Sequence, residues 1–117
     1  MPVAGKSLYK TKTVLIDVSE STTVSTAVDT DGLLLAGIRF PAAITSSTIT
    51  FQVTSTNSSG AFKNLVETEG TDVSYTVSAD NQVRVDTSGW AGVGAIKVVA
   101  GQAESYDCKI ELVFHSA

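Results

Sequence analysis

Residues 48–66 read TITFQVTSTNSSGAFKNLV. Ile49, Phe51 and Val53 alternate with Thr48, Thr50, Gln52 and Thr54, the period of two that turns one face of a strand to a core and the other to water. Asn57, Ser58, Ser59 and Gly60 break that rhythm. Their short polar side chains bond nearby backbone and the glycine accepts left-handed angles, so the chain turns there. Phe62 and Leu65 take the apolar pattern up again, and the whole stretch predicts a β-hairpin.

Working outward, the same alternation punctuated by Gly, Asn, Asp, Ser and Pro predicts strands at 13–18, 24–28, 33–40, 48–54, 73–77, 82–86, 95–99 and 107–114, with a less regular ninth at 62–66. Short strands at this spacing imply an all-β, single-domain antiparallel β-sandwich, jelly-roll-like in winding. No segment carries apolar residues at helical spacing over three turns, and no change of composition marks a second domain. The expected organisation is an extended N-terminal arm over 1–12 and the sandwich over 13–117. A chain of 117 residues is long enough to bury about two thirds of its unfolded surface without disulfides or metals.

Alternate positions name the expected core: Val14, Ile16 and Val18; Val73, Tyr75 and Val77; Val83 and Val85; Cys108, Ile110, Leu112 and Phe114. The stretch 33–40 differs. Leu34, Ala36, Ile38 and Phe40 fill one face, and Leu33 and Leu35 load the other. A strand apolar on both faces is covered on both, by a loop or the arm, or by another subunit. The second possibility makes Leu33 and Leu35 candidate contacts in a homo-oligomer, a trimer first and a dimer second.

Composition narrows the function classes. Eight Lys and Arg against twelve Asp and Glu give a net charge of −4, which supplies no electrostatic grip on nucleic acid. Lys6, Lys10 and Lys12 are the nearest approach to a basic cluster, either a solvated leader or an arm that docks on an acidic partner. The start, MPVAGKSLYKTK, lacks the apolar stretch of a secretory signal, and no apolar run reaches the ~18 residues of a membrane span. With one cysteine there is no intrachain disulfide, and synthesis in a reducing cytoplasm is expected.

No residue constellation in the sequence predicts catalysis. His115 and Cys108 are the only imidazole and thiol, but seven residues along one strand point them to opposite faces, ~23 Å apart at about 3.3 Å per residue. Cys108 reads as a small core hydrophobe and His115 as a solvated terminal residue. Asp29 and Asp31 before Gly32 resemble a fragment of a calcium loop, yet the further oxygen ligands are missing and a turn is expected. Glu67, Glu69 and Asp72 are exposed carboxylates without a partner group. Asn57-Ser58-Ser59 matches the glycosylation sequon and reads as a turn. No metal or cofactor is expected. Trp90, in SGWAGVGAIKVVAG, either plugs the end of the sandwich or lies bare as a platform for a sugar, with Tyr75 and Tyr106 as further stacking candidates.

Taken together, LLLAGIRFPAAITSSTITFQVTSTNSSGAFKNLVETEG, DVSYTVSADNQVRVD, WAGVGAIKVVAG and the terminal IELVF resemble the small β-sandwich accessory virion proteins of tailed bacteriophages, over about Val14 to Phe114. In that group a Gly-Ile-x-x-Pro-Ala step, here Gly37 to Ala42, precedes an ITFQVS-like strand, a turn and an aromatic-x-x-Leu step, here Phe62 to Leu65. The group usually has Asp-Gly at the turn, where this chain has Asn57-Ser58-Ser59-Gly60. The resemblance implies a non-enzymatic head decoration or cement protein on the exterior of the virion. It would be bound to the major capsid protein, with Lys6, Lys10, Lys12, Leu33 and Leu35 as candidate contacts. The alternative is a tail, neck or fibre component carrying a carbohydrate- or receptor-binding jelly roll, with Trp90 or Tyr106 under the sugar. The opening strand and hairpin also resemble part of discoidin-type and carbohydrate-binding jelly rolls, an analogy of fold alone.

Overall fold

Cys108, Ile110, Leu112 and Phe114 alternate along the last strand, and all four are fully buried, with Ile110, Leu112 and Phe114 each contributing about 1.5–3 kcal/mol by leaving water. That strand organises one of two sheets. A computed structural model of the chain describes residues 9–116. Among them lie nine strands: β1 (Tyr9–Ile16), β2 (Val28–Asp29), β3 (Leu34–Arg39), β4 (Thr48–Thr54), β5 (Lys63–Asn64), β6 (Tyr75–Thr76), β7 (Gln82–Arg84), β8 (Ala95–Ala100) and β9 (Cys108–His115). Sheet order is β1-β9-β3-β7 in one layer and β2-β8-β4-β5 in the other, with β6 also on β4. All pairings are antiparallel.

The pairs β1·β9, β2·β8, β3·β7 and β4·β6 nest inside one another like the rungs of a single long hairpin. Rolled up, that hairpin drops alternate rungs into opposite sheets, which is the jelly-roll winding expected from the strand spacing. Ile49 and Phe51 of β4 and Ile96 and Val98 of β8 meet Val14, Ile16, Leu35 and Ile38 from the facing layer in one core.

Three departures from the sequence reading have local causes. First, β1 begins at Tyr9, and Lys10 and Lys12 pair with Phe114 and Leu112 of β9. These residues therefore belong to the sheet and not to an arm; Lys6 lies outside the described residues. Second, register shifts between Leu35 and Gly37 where β3 meets β9, a β-bulge. The extra residue reverses the alternation, so Leu35 turns into the core with 0% exposure and Ile38 stays there. Leu35 is thus no surface contact, and Leu33 is half-buried against the core beside it. Third, the stretch 24–28 gives only a bridge from Val24 to Val99 before β2. The buried hydroxyl of Ser25 accepts from Val98 N at 2.8 Å, while Thr26 N donates to Leu15 O at 2.9 Å. The segment leaves one sheet and ties itself to the edge of the other.

Turns repeat one device. Asp17, Asn57 and Asp86 each accept from the backbone N–H of the serine two residues on, Ser19, Ser59 and Ser88, the side-chain mimic of a backbone turn. The hydroxyl and N–H of Ser19 hold Asp17 below its ordinary pKa, and the N–H and hydroxyl of Ser88 do the same for Asp86. Asp17 starts a 3-10 turn over Val18–Glu20, which lifts Val18 out of the expected core and leaves it exposed. Val73, Tyr75 and Val77 also sit at the rim of the core, half-buried.

Candidate functional site

Trp90 closes one side of the sandwich. Asp86 starts a second 3-10 turn, Thr87–Trp90, which carries the indole over the gap between the sheets. There it is 2% exposed and meets the Phe51 ring edge-on with centroids 4.9 Å apart. Tyr75 packs on the other part of the same ring, at 5.7 Å. Trp90 is therefore the plug and not the sugar platform, and half-buried Tyr75 is part of the same cluster. Tyr106, 74% exposed, is the stacking candidate that remains at the surface.

The open end of the sandwich near the start of β1 is closed by charge. Side chains at even positions of β1 point between the sheets, and those of Lys10 and Lys12 cross to the β2–β3 turn. There they hold Asp31 Oδ2 at 2.9 and 2.7 Å, and Lys12 also donates to Asp29 O at 2.7 Å. Hydrogen bonds from Lys12 and Lys10 bring Asp31 down to a pKa of about 2. Asp31 sits at φ 55 and Gly32 at φ 78, left-handed angles of the kind Asp-Gly tolerates. The acidic partner expected for Lys10 and Lys12 is thus inside their own chain. Asp29 accepts from Ser58 N at 2.7 Å and so ties the Asn57–Gly60 turn to the same end. The result is a shallow cleft of about 560 Å³ whose walls include Asp29, Asp31, Asn57 and Gly94. Among the described residues no group of three or more His, Cys, Asp or Glu could hold a metal ion.

At the opposite end a carboxylate fastens two loops. Glu104, between β8 and β9, accepts from Thr45 N at 2.6 Å and from Ser46 N at 2.8 Å, with the Ser46 hydroxyl 2.6 Å from its second oxygen. Burial raises its pKa, but the hydrogen bonds from Ser46 and Thr45 outweigh that and leave it below the ordinary value. Sequence reasoning did not single out Glu104, because a capping carboxylate fifty-eight residues away has no local signature.

Cys108 and His115 stay apart as their spacing required. Cys108 is fully buried, and desolvation, aided by the charge of Glu104, pushes its thiol up to about 11, far from a reactive thiolate. His115 lies edge-on to Tyr9 at 5.9 Å and its Nδ1 is 2.5 Å from Ser116 O. Glu67, Glu69 and Asp72 stand exposed on the tongue between β5 and β6, where Val66 bridges to Asp72. No membrane-spanning helix is present among the described residues.

No protein-family model matches the chain, and no curated protein matches it in sequence. Among solved structures it is similar to the SPBc2 prophage-derived protein YomS, with a TM-score of 0.56 and 10% identity over 99% of this chain and 100% of that one. Weaker likenesses are to a Bacillus endospore appendage pilus protein (TM-score 0.37, 14% identity, 100% and 95% covered) and to the Yersinia pseudotuberculosis-derived mitogen (TM-score 0.36, 12% identity, 94% and 86% covered). At these identities the likeness to YomS is one of fold.

Proposed function

We propose that the chain is a non-enzymatic structural protein of a tailed-phage particle, and that it binds the outside of an icosahedral capsid and strengthens the shell. The observation that carries the reading is the end-to-end match of its jelly roll to a prophage-derived protein, together with the sequence resemblance to head accessory proteins. The polar chemistry of the domain points the same way. Four of its carboxylates cap turns and loops (Asp17, Asp86, Glu104) or neutralise lysines (Asp31), and its lone thiol is buried. Its partner is the major capsid protein, and several contacts from one oligomer act together because each later one forms at high effective concentration.

The test mixes the protein with shells of the major capsid protein of the phage that encodes it. Cosedimentation and a higher shell-opening temperature are the expected result. Failure of both, or labelling of the tail alone in electron micrographs, overturns it in favour of the tail or fibre reading.

A further inference from the structure

Two surfaces carry opposite charges that find no counter-charge among the described residues. The first is the outer face of the β1-β9-β3-β7 sheet. Ile110, Leu112 and Phe114 of β9 and Val83 and Val85 on either side of Arg84 turn into the core, so Lys109, Glu111, Val113 and Arg84 turn outward. Register sets Gly37 between Arg84 and Val113, and Arg39 between Gln82 and Glu111. Arg84, Arg39 and Lys109 therefore follow a diagonal across three strands in steps of ~8 Å, one strand spacing over and two residues along. All three are exposed. Glu111 holds Arg39 at 3.4 Å, whereas Arg84 and Lys109 enter no ion pair among the described residues. In a chain of net charge −4, this face is basic, and exposed Tyr9 and half-buried Val113 add apolar surface to it.

The second surface is the tongue between β5 and β6. Every residue from Val66 to Asp72 is exposed, and the tip is a closed turn, with Glu67 N donating to Thr71 O at 2.7 Å and Gly70 N to Glu67 O at 2.9 Å. It carries Glu67, Glu69 and Asp72 and no base. Lys63, at its foot on β5, pairs with none of them. The tongue springs from β5, on the edge of the other sheet, and its acids meet no cation of their own chain among the described residues. A preordered acidic tip that also exposes Val66 matches a basic face bearing Tyr9 and Val113 in both charge and polarity. We propose that the tongue of one copy docks on the outer face of the β1-β9-β3-β7 sheet of a second copy, its three acids among Arg84, Arg39 and Lys109 and its Val66 against Val113. Donor and acceptor are different surfaces, so each copy can give its tongue and take another's. The contact needs no capsid and stands apart from the reading above.

Sedimentation of the full chain should show association at low salt that falls as salt rises toward 1 M, where the screening length shrinks to ~3 Å. Reversing the face (Arg84→Glu, Lys109→Glu) or the tongue (Glu67→Lys, Asp72→Lys) should leave the circular dichroism spectrum unchanged, since these side chains are exposed. Either reversal should weaken association about tenfold or more, because exposed attractions become repulsions. Mixing the two reversed variants should restore it, as the acidic face of one then meets the basic tongue of the other. A full chain that stays monomeric at low salt, association indifferent to salt or to either reversal, or a mixture that fails to recover would each overturn the proposal. So would a monomer whose binding to capsid shells is lost on reversing the face, which would make the shell the acidic partner.

Discussion

Replacing Trp90 with alanine separates the plug from the platform. A buried tryptophan removes roughly 150–250 Å² from water, worth about 4–6 kcal/mol at ~25 cal/mol per Å², and its edge-on contact with Phe51 at 4.9 Å adds about 0.5–1.5 kcal/mol. Partial collapse of the site returns some of that, so the expected loss is about 4 kcal/mol, within the ~3–5 kcal/mol typical of Trp→Ala in cores. For a domain of this size that lowers Tm by about 15 °C at roughly 4 °C per kcal/mol. Thermal and urea melts followed by far-ultraviolet circular dichroism measure it, and Trp90→Phe should recover more than half. A loss below about 1.5 kcal/mol, well short of the core range, would refute the reasoning, the more so if the variant also lost binding to a polysaccharide array.

Other perturbations test other parts of the fold. Asp31 has its pKa lowered from 3.8 to about 2, so its contribution is complete above about pH 4 and fades as pH falls toward 2; Tm measured across that window should drop less steeply in Asp31→Asn than in wild type. A Cβ on Gly94 would stand 1.8 Å from the backbone oxygen of Thr56, whereas one on Gly89 would meet nothing within 4 Å; Gly94→Ala should cost about 3 kcal/mol or more and Gly89→Ala under about 0.5 kcal/mol in denaturant titrations. Glu104→Gln keeps one acceptor oxygen but turns an NH2 group toward the other backbone donor, since Thr45 N and Ser46 N each use a different carboxylate oxygen, and should cost about 1.5–3 kcal/mol, seen as lower denaturation midpoints and faster hydrogen exchange at Thr45 and Ser46.

How much of this was legible in the sequence depended on how local the cause was. Long strands such as β4, β8 and β9 could be read, because alternation is written residue by residue, whereas 24–28 shrank to a bridge and the two residues of β2, and the plug was one of two readings open for Trp90. The face of Leu35 could not be read. A bulge depends on how β3 pairs with β9, and the extra residue puts Leu35 on the same buried face as Ile38 and Phe40, where alternation alone assigns it to the other. Lys10 and Lys12 were misplaced for a related reason: a Lys-Thr-Lys run looks like a solvated leader until β9 supplies a neighbour and Asp31 a counter-charge. Glu104 is invisible without the fold, since its partners come from a different loop.

The turns beginning at Asp17, Asn57 and Asp86 close within three residues, on side-chain bonds that need nothing distant. They are cheap to form in an unordered chain. The ladder from Tyr9↔His115 to Ile16↔Cys108 is the reverse case, since it joins the two ends of the described chain and must close the largest loop available. The kinetic consequence is a chain whose corners are drawn early and whose first and last strands meet late. Folding should be governed by that closure and fall in the millisecond-to-second range of non-local β topologies, with the strand bearing Lys10 and Lys12 the last to dock.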